Sequence, residues 1–149
     1  MEDDPWEKIR QLLQSGNYRY FGCTVMPGPQ LRQAIPISKK IREEFPEVII
    51  IWGGYFASNQ YKVVLESGYV DYVISGPGDN AFPQLLDNLE ANEDPATVKN
   101  LIYRREGEIV KTPKEALLDQ DQLPALPYEY YDQFYPLKSY LQKTFLGNK

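Results

Sequence analysis

The 149-residue sequence predicts an α/β fold built on a parallel sheet. Two features carry that expectation. Three short β-prone runs, Tyr18 to Val25, Val48 to Trp52 and Val70 to Ile74, each stop at a loop of small residues or proline. Stretches with apolar residues at helical spacing precede, separate and follow them. Strands that alternate with helices pair in parallel through right-handed crossovers.

Asp4-Pro5 reads as the N-cap and first residue of a helix whose apolar stripe is Trp6, Ile9, Leu12 and Leu13. Ser15-Gly16-Asn17 ends it. The run Tyr18 to Val25 becomes apolar at its end, as a buried strand does, and Met26-Pro27-Gly28-Pro29 stops it. A second helix is expected from about Gln30 to Phe45, with Leu31, Ala34, Ile35, Ser38 and Ile41 inward and a kink at Pro36. Val48 to Trp52 has no polar alternation, so both faces of that strand should be covered, and Gly53-Gly54 terminates it. A third helix is expected from Asn59 to Ser67, closed by Gly68. After the strand Val70 to Ile74 comes a tight turn, Ser75-Gly76-Pro77-Gly78-Asp79, and a helix from Asn80 to Glu90 with Phe82, Leu85, Leu86 and Leu89 inward. Leu101 to Arg104 and Glu108 to Lys111 flank Arg105-Glu106-Gly107 as a hairpin. From Thr112 the chain turns rich in proline and tyrosine, which reads as an extended tail carrying at most a short helix. The expected organisation is an α/β core over 1–98, a hairpin over 99–112 and a tail or linker over 113–149. The fold class is a doubly wound, Rossmann-like parallel sheet, incomplete, with a C-terminal hairpin and tail. Only three parallel strands are visible where such domains usually have about five. Either a strand–helix–strand piece precedes this chain or another chain supplies the sheet neighbour. An open edge of that kind predicts a homodimer or low stability in isolation.

Composition narrows function further. Apolar residues make up 42% and charged residues 25%, which suits a folded core rather than a disordered chain. Lys and Arg number 16 against 21 Asp and Glu, a net charge of −5, which argues against a nucleic-acid binder. Cys23 is the one cysteine, so no intrachain disulfide and no site with two cysteine ligands can form. Histidine is absent, which removes His acid–base chemistry, Ser–His–Asp and Cys–His catalysis and His metal sites. No stretch reaches the ~18 apolar residues of a membrane helix. The acidic start Met1-Glu2-Asp3-Asp4, with no basic or apolar region, reads as something other than a signal peptide. The expected compartment is the cytoplasm, which suits a free thiol.

In open α/β sheets ligands sit beyond the carboxyl ends of the strands. Three loops stand there: Thr24-Val25-Met26-Pro27-Gly28, Gly53-Gly54-Tyr55 and Ser75-Gly76-Pro77-Gly78. Small residues in all three let backbone approach something large and flat. In this order the loops resemble the cobalamin-binding domain that precedes the catalytic barrel of radical S-adenosylmethionine enzymes, the group containing the anaerobic magnesium-protoporphyrin ester cyclase. The resemblance rests on five segments in order, Thr24 to Gln30, Ile37 to Gly54, Val70 to Leu86, Leu101 to Val110 and Leu118 to Asp132, and covers about residues 18 to 132. No one segment is specific; the set in this spacing is. Cobalamin domains carry three signatures, DxHxxG, SxL and GG. Thr24-Val25-Met26 stands at the SxL position with conservative departures, and Gly53-Gly54 matches GG. DxHxxG has no counterpart, so the resemblance supplies no lower axial cobalt ligand from this chain.

The resemblance implies a cobalamin-binding module that is not catalytic alone. Its parent would be a methyltransferase or cyclase whose catalytic domain holds a 4Fe-4S cluster in a CxxxCxxC loop and uses S-adenosylmethionine. That loop does not occur in this chain. The implied binding residues are Thr24, Val25, Met26, Gly53, Gly54, Tyr55, Ser75, Gly76 and Gly78. The Thr24 hydroxyl would bond the nucleotide tail, Gly53 and Gly54 would clear space for it, and Tyr55 and Phe56 would wall the slot. Asp79 reads as a helix cap rather than part of a phosphate site. Cys23 reads as a buried, inert thiol. Trp52 reads as core, and the tyrosines of the tail as a docking surface or a wrap on the same domain. Glu43-Glu44 and Asp119/Asp121 read as solvated, so no catalytic acid or base is assigned. Two other readings stay open: a flavodoxin-like module for flavin mononucleotide, although the usual phosphate loop after a first strand is missing, and a ligand-free interaction domain.

Overall fold

A computed structural model of the chain describes residues 5–116, 121 and 124–134. Two compact units result, residues 1–116 and 117–149. In the first unit α1 (Pro5–Gln14) is followed by β1 (Tyr20–Thr24), α2 (Pro29–Glu44), β2 (Ile49–Gly53), α3 (Gly54–Asn59), α4 (Tyr61–Glu66) and β3 (Tyr72–Ile74). Then come α5 (Ala81–Ala91), a single 3-10 turn, and the hairpin β4 (Leu101–Arg105) and β5 (Glu108–Lys111). The five strands form one sheet in chain order. β1, β2 and β3 are parallel, whereas β4 and β5 join antiparallel. The hairpin is therefore the far side of the sheet rather than an appendage. Its turn uses Glu106 at φ 54° and Gly107 at φ 87°, the double positive φ of a type I′ two-residue hairpin connection.

Strand pleating sorts the apolar residues into two cores. Ile50, Trp52, Val73 and Ile102 face α1, α2, α3 and α4, together with Trp6, Leu13, Ala34, Ile41, Ala57 and Val64. Ile51, Ile74, Leu101 and Tyr103 face α5, with Ala81, Leu85 and Val98. β2 is covered on both sides, as its uninterrupted apolar run predicts. Helices lie on both faces, the doubly wound arrangement expected. Deep in the first core Trp52 Nε1 donates to Ser38 Oγ at 3.0 Å, and both residues are essentially inaccessible. At the opposite end of β2, Asp71 accepts from the Ile50 amide at 2.7 Å and from Arg42 Nη2 at 2.5 Å.

Several expectations need correction. β1 is not buried; it is an edge strand with Gly22 and Thr24 exposed, because α5 covers the other end of that face. Leu12 is 44% exposed and lies outside the α1 stripe. The third helix begins at once, at Gly54, and breaks into α3 and α4 at Gln60. Glycine looked like a stop signal there, yet Gly54 at φ 85° turns the chain straight from strand into helix. The α5 N-cap is Asn80, with no side-chain cap, so Asp79 does not cap that helix. α2 continues through Pro36 to Glu44. The Asp4 N-cap lies outside the described residues. In the second unit the described chain holds one short helix, α6 (Tyr128–Phe134), with Leu126, Tyr128, Tyr130 and Tyr131 exposed.

Among the described residues the Ser38 hydroxyl is the hydrogen-bond partner of the buried Trp52 side-chain N–H. Ser38→Ala strands that donor, and urea unfolding is expected to show a loss of about 1–3 kcal/mol at unchanged m-value.

Candidate functional site

Parallel pairing puts the carboxyl ends of β1, β2 and β3 side by side. Thr24 registers with Gly53, and Gly22 with Ile51. Over these positions, on the α5 face, lies a cleft of about 410 Å³. Gly22, Cys23 and Thr24 line it from β1, Ile51, Gly53 and Gly54 from β2 and its exit, Ile74, Gly76 and Gly78 from β3 and its loop, and Phe82 from α5. All three carboxyl-end loops that the sequence singles out thus reach one cavity.

The glycines divide by what the backbone asks of them. Gly54 has φ 85°, and a Cβ there would stand 2.8 Å from Thr24 Cγ2 and 3.0 Å from both Val25 N and Val25 O. Gly76 has φ 121°. These two serve the fold. Gly53 is extended, at φ −127° and ψ −171°, and a Cβ would make only an ordinary 3.9 Å contact with Ile74 Cβ. At Gly78 a Cβ would meet Ile74 Cγ2 at 3.6 Å, again ordinary contact. Neither position is demanded by a positive φ or a close approach; what the missing side chains provide is room in the cleft. Gly22 is a third kind: the edge of the Phe82 ring lies 3.1 Å from where its Cβ would be, so the ring rests on bare strand.

Five of the expected residues, Thr24, Gly53, Gly54, Gly76 and Gly78, line the cleft together. The other four do not. Val25 is fully buried in the first core; its amide donates to Gly53 O at 2.9 Å and its carbonyl accepts from Phe56 N at 3.0 Å. It ties the first loop to the second. The Met26 amide donates to Gln30 Oε1 at 2.9 Å, and its side chain is 45% exposed outside the cleft. Tyr55 and Phe56 line a separate shallow hollow with Pro27, Asn59 and Gln60. Ser75 is buried, and its hydroxyl accepts from Lys114 Nζ at 2.7 Å. Sequence reasoning left out Gly22, Cys23, Ile51, Ile74 and Phe82 as lining residues. Alternation along a strand was the available signal, since Gly22 and Ile51 stand two residues before Thr24 and Gly53 on the same face.

The walls carry no charge. Cys23 is the one ionisable residue in the lining, and burial pushes its thiol from an ordinary value near 9 up to about 12. It therefore stays neutral at physiological pH. No group of three or more His, Cys, Asp or Glu side chains that could hold a metal occurs among the described residues. The cleft can enclose a bulky organic group; it offers no acid, base or nucleophile to react with one.

Gly54→Ala is expected to destabilise by about 1–3 kcal/mol in urea melts, whereas Gly53→Ala and Gly78→Ala stay within about 1 kcal/mol of the parent. Iodoacetamide at pH 8 should label Cys23 slowly in the folded chain and rapidly in urea, because only the unfolded thiol ionises appreciably.

Known proteins resemble this chain in sequence and in fold. The family described as B12 binding domain matches residues 1–86. The anaerobic magnesium-protoporphyrin IX monomethyl ester cyclase of Synechocystis sp. is 29% identical over 83 residues, 54% of this chain and 17% of that enzyme. The chain thus spans about a sixth of that relative's length. Two structures of the radical S-adenosylmethionine methyltransferase TsrM from Kitasatospora setae share the fold at 21% identity. The one with cobalamin and a 4Fe-4S cluster superposes with a TM-score of 0.65 over 84% of this chain and 24% of that one. The one with its tryptophan substrate and an S-adenosylmethionine analogue (aza-SAM) bound gives 0.63 over 74% and 22%. With more than half of its residues matched, and with strand-end glycines opening one shared cleft, this chain belongs to the B12-binding domain family.

Proposed function

We propose that this chain holds cobalamin, with the nucleotide tail entering the cleft above β1, β2 and β3. The observation that carries the reading is the pair Gly53 and Gly78, two glycines in one cavity wall that the backbone does not require. The group fits the residues present. A cavity of about 410 Å³ is within the range of about 300–1,000 Å³ typical of small-molecule pockets, so it takes the tail, and the broad corrin lies outside across the loops. The uncharged lining suits that tail better than it suits the phosphate monoester of flavin mononucleotide, for which it presents no cationic side chain.

In this reading Thr24, exposed at the end of β1, offers its hydroxyl to the tail, and Phe82 supplies an aromatic wall. Gly53 and Gly78 keep the space open, and Gly54 and Gly76 set the backbone of the loops that frame it. When bound, cobalamin supplies a cobalt centre able to carry a methyl group or assist radical chemistry. No histidine of this chain can ligate that metal.

We infer further that the module works in a longer radical S-adenosylmethionine enzyme of methyltransferase or cyclase type, with the core over 1–98, the hairpin over 99–112 and the tail from 113 leading toward a catalytic domain. The ordered likeness to the cyclase and to TsrM supports this. No described helix is long and apolar enough to cross a membrane, and a cytoplasmic setting is part of the same proposal. β1 has a partner on one side only among the described residues, which supports self-association through its outer edge.

Mixing the chain with hydroxocobalamin and desalting tests the central claim. Corrin absorption bands should stay with the protein and should be lost in Gly53→Val and Gly78→Val variants that keep the parent far-UV circular dichroism. A parent chain that elutes colourless, or one that retains flavin instead, overturns the reading. Light scattering should show dimers at high concentration; a strict monomer removes the edge-pairing proposal.

A further inference from the structure

The third wall of the cleft, residues 75–80, owes its shape to two other parts of the chain. The Ser75 amide donates to Asn100 O at 2.7 Å, and Asn100 Nδ2 donates to Pro77 O at 3.3 Å. Lys114 Nζ donates to Ser75 Oγ at 2.7 Å and also to the Ser75 carbonyl. Asn80 Nδ2 reaches Glu115 Oε1 at 3.4 Å. The segment supplying Lys114 and Glu115 is itself pinned on Asn100, whose amide donates to Pro113 O at 3.0 Å and whose Oδ1 accepts from the Glu115 amide at 2.9 Å. Asn100 is 2% exposed and sits at φ 59°, a conformation its short amide side chain tolerates better than most. Residues 113–115 therefore form a strap across the loop that carries Gly76 and Gly78 into the lining.

Resting on the cobalamin reading of the cleft, we propose that this strap is part of the ligand site: Lys114 is a positioning residue that sets the Ser75–Gly78 wall, and ligand binding and strap docking stabilise each other. Lys114 is suited to that role. No carboxylate pairs with it among the described residues, and both of its hydrogen bonds go to Ser75. A Cβ at Gly76 would lie 3.9 Å from the ammonium, so the side chain passes directly behind the wall. Its partial burial lowers its affinity for the proton, with Lys111 adding to the effect, as expected of an ammonium held against protein rather than in free solvent. Coupling of this kind is reciprocal. Whatever the strap adds to ligand affinity, the ligand adds to strap order.

Hydrogen–deuterium exchange on the 149-residue chain, with and without hydroxocobalamin, tests the proposal in the parent, Lys114→Met and Lys114→Arg. In the free Lys114→Met chain, exchange should quicken at residues 75–80 and stay unchanged in β2, with Tm close to the parent value. Hydroxocobalamin affinity should fall about tenfold, the scale of a lost charge-assisted hydrogen bond, and Lys114→Arg should restore most of it. In the parent, ligand should slow exchange at 75–80 and at 113–115 together. Parent-like affinity in Lys114→Met, unaltered exchange at 75–80 in that free variant, or protection of the loop without the strap each overturns the strap proposal while the cleft reading stands. A parent chain that takes up no hydroxocobalamin overturns both.

Discussion

The structure turns on how closely the chain leaving β1 passes the chain leaving β2. Val25 donates to Gly53 O and accepts from Phe56 N, and the space at Gly54 where a Cβ would stand is taken by Thr24 and the Val25 backbone. Such an approach is open only to glycine. It locks the first two strand ends into one rim, and it turns β2 straight into α3 with no intervening loop. A longer connection there would fold over the strand ends and fill the space that the cleft occupies.

The second constraint is the uneven clothing of the sheet. Four helices cover one face and one covers the other. α5 presents Leu85 and Ala81 to Ile74 and Leu101 and covers β1 at Tyr20, but beyond that it reaches β1 through Phe82 lying on Gly22. A single helix cannot span five strands. The bare patch falls at the carboxyl ends of β1 and β2, where parallel pairing has already gathered the loops. The cleft is thus a shortfall of cover on a well-packed sheet.

Much of this was written in local pattern. The apolar run Ile49 to Trp52 announces a strand buried on both sides, and it is. The glycine clusters announce the strand-end loops, and all three meet. Pattern failed where the deciding contact is distant. β1 reads as buried because its side chains suit a core, but burial depends on whether a helix or a neighbouring strand covers it. Val25 and Met26 look alike beside Thr24; pleating sends Val25 into the first core and leaves Met26 outside. Ser75 gives no local sign that its hydroxyl is bonded by Lys114, 39 positions away. Gly53 and Gly54 are identical letters with opposite duties, and only φ and the neighbouring atoms tell them apart.

That last distinction bears on how such a domain can change over generations. Side chains entering at Gly53 or Gly78 would meet no backbone objection, whereas Gly54 and Gly76 are held by conformation. The cleft can therefore silt up through ordinary drift while the architecture around it persists. On the proposed reading of that cleft, descendants of this scaffold outlive their cofactor as sound but vacant frames, and those two positions tell such relics from working copies.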